Sequence, residues 1–289
     1  IAVMGVLKEA KVKKSLETKV AGESLFNDGV AVVVFAVILQ LTQSSDMDIS
    51  FGNISWLLIK EAAGGFIVGA LLGLGASNAM RKIDDYKVSV LITLSIVTGG
   101  FLVAQALHVS SPLAMVVAGL IIGNYGKKVA MSEVTKDYLG KFWELIDEIL
   151  NAILFLFIGF ELLLLPDLNK QLVTGFVAIF IVLFSRLTSI VLPWKFFDIF
   201  KFFGIRSAYN KGSLMVLVWG GIRGGVSIAL AMSIPKSEYS EIILSITYCV
   251  VVFSIIVQGL TIAKVANPNK IAKEEEEQEQ ESLAVEEKA

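Results

Sequence analysis

Eight stretches of mostly apolar residues follow one another in this chain, with only short connectors between them. They run over residues 19–41, 55–79, 88–107, 112–125, 142–165, 171–193, 213–234 and 242–265. Crossing a bilayer takes about 20 such residues in a helix. A backbone in lipid must satisfy its hydrogen bonds internally, which leaves helices or a closed barrel. These segments are too long for membrane strands and do not alternate in polarity, so a barrel is excluded. The expected fold is an all-α integral membrane protein, a multi-span helical bundle. Residues 1–9 read as half of a further span, so the chain is expected to start in the middle of a structure. Composition agrees: 55% apolar and 18% charged, against about 45–50% and about 25% in soluble domains.

The connectors alternate in charge. Lys8, Lys11, Lys13, Lys14 and Lys19 precede the first full span, and the next connector has Asp46 and Asp48 without Lys or Arg. Arg81, Lys82 and Lys87 follow, then the nearly uncharged stretch His108–Ser111. Lys127, Lys128, Lys136 and Lys141 come next, then Lys170 alone. Lys195, Lys201, Arg206 and Lys211 precede a connector with only Lys236, and the tail carries Lys264, Lys270 and Lys273. Basic loops stay on the cytoplasmic side. The alternation supports eight spans, a cytoplasmic C-terminus and a place in the cell membrane. Lys60 and Glu61 are the one awkward pair, near the outer end of a span. Residues 1–266 form the expected membrane domain. Residues 267–289 are an acidic tail that cannot bury an apolar face and is expected to be disordered; a solubilising end is favoured there over a regulatory one.

Cys249 and His108 are the single cysteine and histidine. There is no disulfide framework or multi-histidine metal centre to build, and proton relays must run on carboxylates. No cofactor and no nucleic acid partner are expected. His108 reads as a surface residue of an outer connector.

Residues Glu23-Ser24-Leu25-Phe26-Asn27-Asp28 lead without a break into an apolar run. A charge near the bilayer centre costs at least ~2.5–3.5 kcal/mol, so a span with two carboxylates points to ion or proton handling. Positions 23 and 27, and 24 and 28, share a helical face. Glu23, Ser24, Asn27 and Asp28 offer carboxylate, hydroxyl and amide oxygens, the donors that suit a hard cation. Bonding between helices is the bland alternative, and four polar groups on one face make it the weaker one. Arg186 lies deep in another span and needs a carboxylate; Glu23 is the expected partner, leaving Asp28 to exchange ligands. Trp219–Ser227 places four glycines, among them Gly221 and Gly224, around Arg223. That makes a poor continuous helix, and transporters build ion sites from discontinuous helices. Close glycine packing is the alternative, and Arg223 is expected to bond the carbonyls that a break frees. Glu144, Asp147 and Asn151 follow helical spacing at a cytoplasmic end, as an acidic vestibule or equally a solvated helix end. Val257-Gln258-Gly259-Leu260-Thr261 is polar enough to face the bundle interior.

These motifs resemble, in order and over nearly the whole chain, the NhaP/NHE-type sodium/proton branch of the monovalent cation:proton antiporters. The matching segments are Glu23–Gly29 with its Asn27-Asp28 pair, Asn151–Gly159, Arg186, Gly220–Gly224 and Val257–Thr261. The resemblance implies about thirteen spans with inverted repeats and two crossed, partly unwound helices. It implies that Ile1-Ala2-Val3 begins just past a Thr-Asp-Pro motif, and that the helices forming a homodimer precede this chain. It also implies that Asp28 alternately holds a proton or a sodium or lithium ion, with Ser24, Asn27 and Glu23 shaping the site, Arg186 holding Glu23, and electroneutral one-for-one exchange. Two alternatives stand beside it: a fragment without transport of its own, and an intramembrane hydrolase. Ser24 lacks a serine-protease context, and a second deep Asp is missing for an aspartyl protease.

Overall fold

Long apolar runs favour helix, and each of these runs is helical in this protein, one of them with a break. The computed structural model describes residues 14–43, 50–83, 85–164, 168–199 and 211–266, and among them every regular element is helical. The elements are α1 (Lys14–Gln43), α2 (Phe51–Lys82), α3 (Tyr86–Ala106), α4 (111–129), α5 (Glu133–Leu164), α6 (Leu168–Ile199), α7 (Lys211–Trp219), α8 (Gly225–Met232) and α9 (238–265). Among the described residues, three helices carry a π turn, at Ile96–Gly100 in α3, Ile122–Gly126 in α4 and Ser254–Gln258 in α9. The expectations for residues 1–9 and 267–289, and for Asp46, Asp48, Lys201 and Arg206, lie outside the described residues.

Among the described residues, five helices are long and apolar enough to cross a membrane: Leu16–Gln43, Gly52–Lys82, Tyr86–Ala106, Leu172–Phe196 and Tyr239–Val265. With them the chain is an integral membrane protein. The segments 112–125, 142–165 and 213–234 are also helical but differ in kind. The first lies in a short helix, and the third is interrupted between α7 and α8. The second lies in α5, which starts nine residues earlier, at Glu133. There Lys136 pairs with Glu133 and Lys141 with Asp137, each at 2.7 Å. Such pairs, three and four residues apart, support a solvated helical turn, so residues assigned to a connector continue the helix. The Asp137 carboxylate, bonded to the Lys141 ammonium, holds that group above the usual lysine value.

Local sequence explains the helix starts. Asp85 accepts from the Lys87 and Val88 amides ahead of α3, Ser110 from Leu113 ahead of α4, and Ser237 and Ser240 form a capping box at α9. His108 ends α3 in the left-handed region, at φ 52°. The Val109 amide reaches back to the Ala104 carbonyl at 3.1 Å, which is the helix-ending turn usually given to glycine. The single histidine is exposed, as expected, and it serves as a turn residue.

The chain forms two compact units. One comprises residues 25–157. In it α2 lies against α4 along Gly65, Gly69 and Gly73, four residues apart. A side chain at Gly69 would strike the Ala114 backbone, and one at Gly73 would sit 3.0 Å from the Ala118 Cα. Small residues at this spacing let membrane helices approach closely. Ala76, Met80, Ile122, Met131 and Leu139 form the buried cluster beside this seam. Lys60 and Glu61 line a cavity of about 330 Å³ with Gln40, Gln105, His108 and Ser111, so the awkward pair faces a polar recess.

The other unit comprises residues 1–24 and 158–289. Leu16 and Val20 of α1 pack on Val216 and Leu217 of α7 and on Ile262 and Ala266 around the end of α9. α6 and α9 meet where Gly175 faces Cys249, whose Cβ and Sγ leave no room for a side chain at that glycine. Phe176, Phe180 and Phe184 on α6 are exposed, a surface that suits lipid and not water.

Candidate functional site

The unit boundary falls within α1, between Ser24 and Leu25. On the N-terminal side of it, the Arg186 guanidinium grips Glu23 with two hydrogen bonds of 2.6 Å, Nη1 to Oε1 and Nη2 to Oε2. Arg186 is 9% exposed, so its charge is compensated by the carboxylate assigned to it from sequence. A planar fork on a carboxylate is the strong form of such a pair. Nη2 also donates to the Leu217 carbonyl at 3.0 Å, which ties α1, α6 and the last turn of α7 to one side chain. Arg186 Nε is buried without a hydrogen-bond partner. It lies against Gly221, where a Cβ would be 2.6 Å from Arg186 Cζ. Gly221 is therefore glycine because the guanidinium occupies the place of its side chain.

Both oxygens of Glu23 are engaged by Arg186, and as a sodium ligand Glu23 would have to share them. Ser24 is exposed, while Asn27 and Asp28 are half-buried within residues 25–157. All four lie on one uninterrupted helix.

The glycine-rich segment is a break, as its composition predicts. α7 ends with the Gly220 amide bonded to the Val216 carbonyl at 2.7 Å, residues 221–224 are non-helical, and α8 begins at Gly225. Gly224 is extended and gives α8 no capping side chain. The job expected of Arg223 falls to others. Its side chain has no hydrogen-bonded or ion-paired partner among the described residues. The Leu217 carbonyl is bonded by Arg186, and the Trp219 carbonyl by Gln258 Nε2 at 3.2 Å. The Arg223 backbone amide donates to Ser254 Oγ at 2.8 Å, and Trp219 Nε1 donates to Thr261 Oγ1 at 2.8 Å. Gln258 and Thr261 belong to a segment noted as polar; Ser254 carries no sequence signal of its own.

Glu144 and Asp147 are exposed, and the Asn151 amide bonds the Asp147 carbonyl of its own helix at 2.8 Å. Among the described residues no three His, Cys, Asp or Glu side chains group as for a bound metal.

A broken helix beside a compensated carboxylate, in a membrane bundle, is transporter architecture. A family model described as "Sodium/hydrogen exchanger, transmembrane" matches residues 1–267. The chain is 50% identical over 265 residues to the Na(+)/H(+) antiporter NhaP of Pseudomonas aeruginosa, covering 91% of this chain and 61% of that protein. It is 37% identical to the Na(+)/H(+) antiporter NhaH of Halobacillus aidingensis, covering 92% of this chain and 64% of that protein. To the low-affinity Na(+)/H(+) antiporter NhaS1 of a Synechocystis strain it is 32% identical, covering 90% and 49%. The chain belongs to the sodium/hydrogen exchanger family. It spans about half to two thirds of the length of these relatives. Membership in a family of secondary transporters sets the hydrolase alternative aside.

Proposed function

We propose that the protein exchanges sodium for protons across a membrane, one cation for one proton, at Asp28 by alternating access. The observation that carries this reading is the bidentate hold of Arg186 on Glu23. Arg186 engages both oxygens of Glu23, and the exchange is assigned to Asp28 from its place in the Asn27-Asp28 pair. Asn27 beside Asp28 brings an amide oxygen and no second charge, which fits electroneutral exchange. Ser24, one helical turn before Asp28 on α1, adds a hydroxyl.

The mechanism is competition. Taking a carboxylate out of water disfavours its bare anion, so Asp28 crosses loaded with a proton or with sodium. An unloaded, charged site crosses poorly, and this couples the two fluxes. Lithium fits the same oxygen donors. The break between α7 and α8 supports the reading, because discontinuous helices are where many transporters build their ion sites. The eight-span count, the cytoplasmic C-terminus, the cell membrane location and a homodimer belong to the same proposal.

The test uses everted vesicles carrying the complete gene product and a dye that reports proton movement. Sodium addition should dissipate the acid-inside gradient in wild type and leave it intact in Asp28→Asn. Wild-type rates in that variant would sink the assignment. A chain of these 289 residues that is inserted and folded but gives no flux would favour the fragment alternative.

A further inference from the structure

The break between α7 and α8 is bridged by two side chains of one π turn. The Arg223 amide donates to Ser254 Oγ at 2.8 Å, the Ser254 hydroxyl donates to Gln258 Oε1, and Gln258 Nε2 donates to the Trp219 carbonyl at 3.2 Å. The relay therefore runs from Arg223, two residues before α8, to Trp219, the last residue of α7. Ser254 Oγ accepts one bond and donates the next, and Gln258 accepts through Oε1 and donates through Nε2. Ser254 and Gln258 are both buried, and a buried backbone group without a partner is costly, so the relay replaces the bonds that a continuous helix would have made there. Both residues sit in the π turn Ser254–Gln258, a helix irregularity that is frequent at functional sites. A second contact, Trp219 Nε1 to Thr261 Oγ1, lies one turn further along α9.

We propose that Ser254 and Gln258 are positioning residues that set the separation of the two half-helix ends for ion exchange. The proposal rests on the exchange reading above. They do not ligate the ion; they act through the Trp219 carbonyl and the Arg223 amide. Loss of either side chain should loosen residues 220–224 and weaken sodium binding more than it slows the maximal rate.

The experiment measures amide hydrogen exchange and sodium-driven proton flux on the complete gene product in lipid. Ser254→Ala and Gln258→Leu should speed exchange at the Arg223 amide by about tenfold, the scale of one ordinary hydrogen bond, with α6 exchange unchanged. The apparent KM for sodium should rise several-fold while the maximal rate falls less. Gln258→Glu has the same size and keeps an acceptor for Ser254, so it covers the case in which the truncated variants fail to fold. When ionised it cannot donate to Trp219, and its KM defect should shrink as the pH falls and the acid is protonated. Wild-type exchange at Arg223 in folded Ser254→Ala would overturn the proposal. Faster exchange with unchanged KM and pH profile would overturn it equally, by reducing the relay to scaffolding. Absence of sodium-driven flux in wild type would instead overturn the exchange reading, and the Arg223 amide would still decide whether the relay bridges the break.

Discussion

Arg186 and Gly221 occupy one volume: the guanidinium that holds Glu23 lies where any Gly221 side chain would be, with Cζ at 2.6 Å from the position of a Cβ. The end of a long side chain can usually move aside, but this one is pinned by three hydrogen bonds. Gly221→Ala must therefore displace the pair or the break. It should destabilise the protein by about 1–3 kcal/mol, as overpacking does, and lower sodium-driven flux. Unfolding at wild-type temperature and denaturant concentration would contradict the packing.

Removing one member of the Glu23–Arg186 pair leaves the other charge in a membrane interior. Arg186→Met should cost up to about 3 kcal/mol, since breaking a buried pair costs about 3–5 kcal/mol and the Glu23 side chain remains 33% exposed. The double variant Glu23→Leu with Arg186→Met should be less damaging than the sum of the two single changes. Additive effects in the double-mutant cycle would show that the two residues are not coupled.

The α2 seam gives a test of sign within one helix. Gly69→Ala would strike the Ala114 backbone and should destabilise by about 1–3 kcal/mol. Gly75 has nothing within 4 Å of its would-be side chain, so Gly75→Ala should be neutral or stabilising by up to about 1 kcal/mol through helix propensity. Thermal unfolding of the two variants in lipid reads the difference; equal shifts would contradict the seam.

His108 sits at φ 52°, a region that disfavours residues with a side chain by about 1–2 kcal/mol. His108→Gly should raise stability slightly and His108→Val should lower it. The reverse order in an unfolding titration would place the residue in another conformation.

Much of this protein is legible in its sequence because lipid is a demanding solvent. The requirement that each span satisfy its own backbone points to helix in the apolar segments, one of which is broken at residues 221–224, and the expense of a lone buried guanidinium points from Arg186 to Glu23. The break at residues 220–224 follows from glycine's low helix propensity. What the sequence leaves hidden depends on tertiary partners. Arg223 reads as the residue that answers the freed carbonyls, because it is the charge nearest to them, yet Arg186 and Gln258 reach them from other helices. Ser254 is one serine in an apolar helix, and nothing local marks it. Gly65, Gly69 and Gly73 take meaning only from the Ala114 and Ala118 backbone across the seam. The early start of α5 was obscured because Lys136 and Lys141 look like loop charges until their pairing with Glu133 and Asp137 is seen.

The central claim is that sodium and a proton compete for Asp28. It is tested most directly by adding sodium to the purified complete gene product in weak buffer and reading the protons released. Wild type should release close to one proton per sodium bound at a pH where Asp28 carries its proton, and Asp28→Asn should release none. Equal release from the two proteins would place the exchanging group elsewhere.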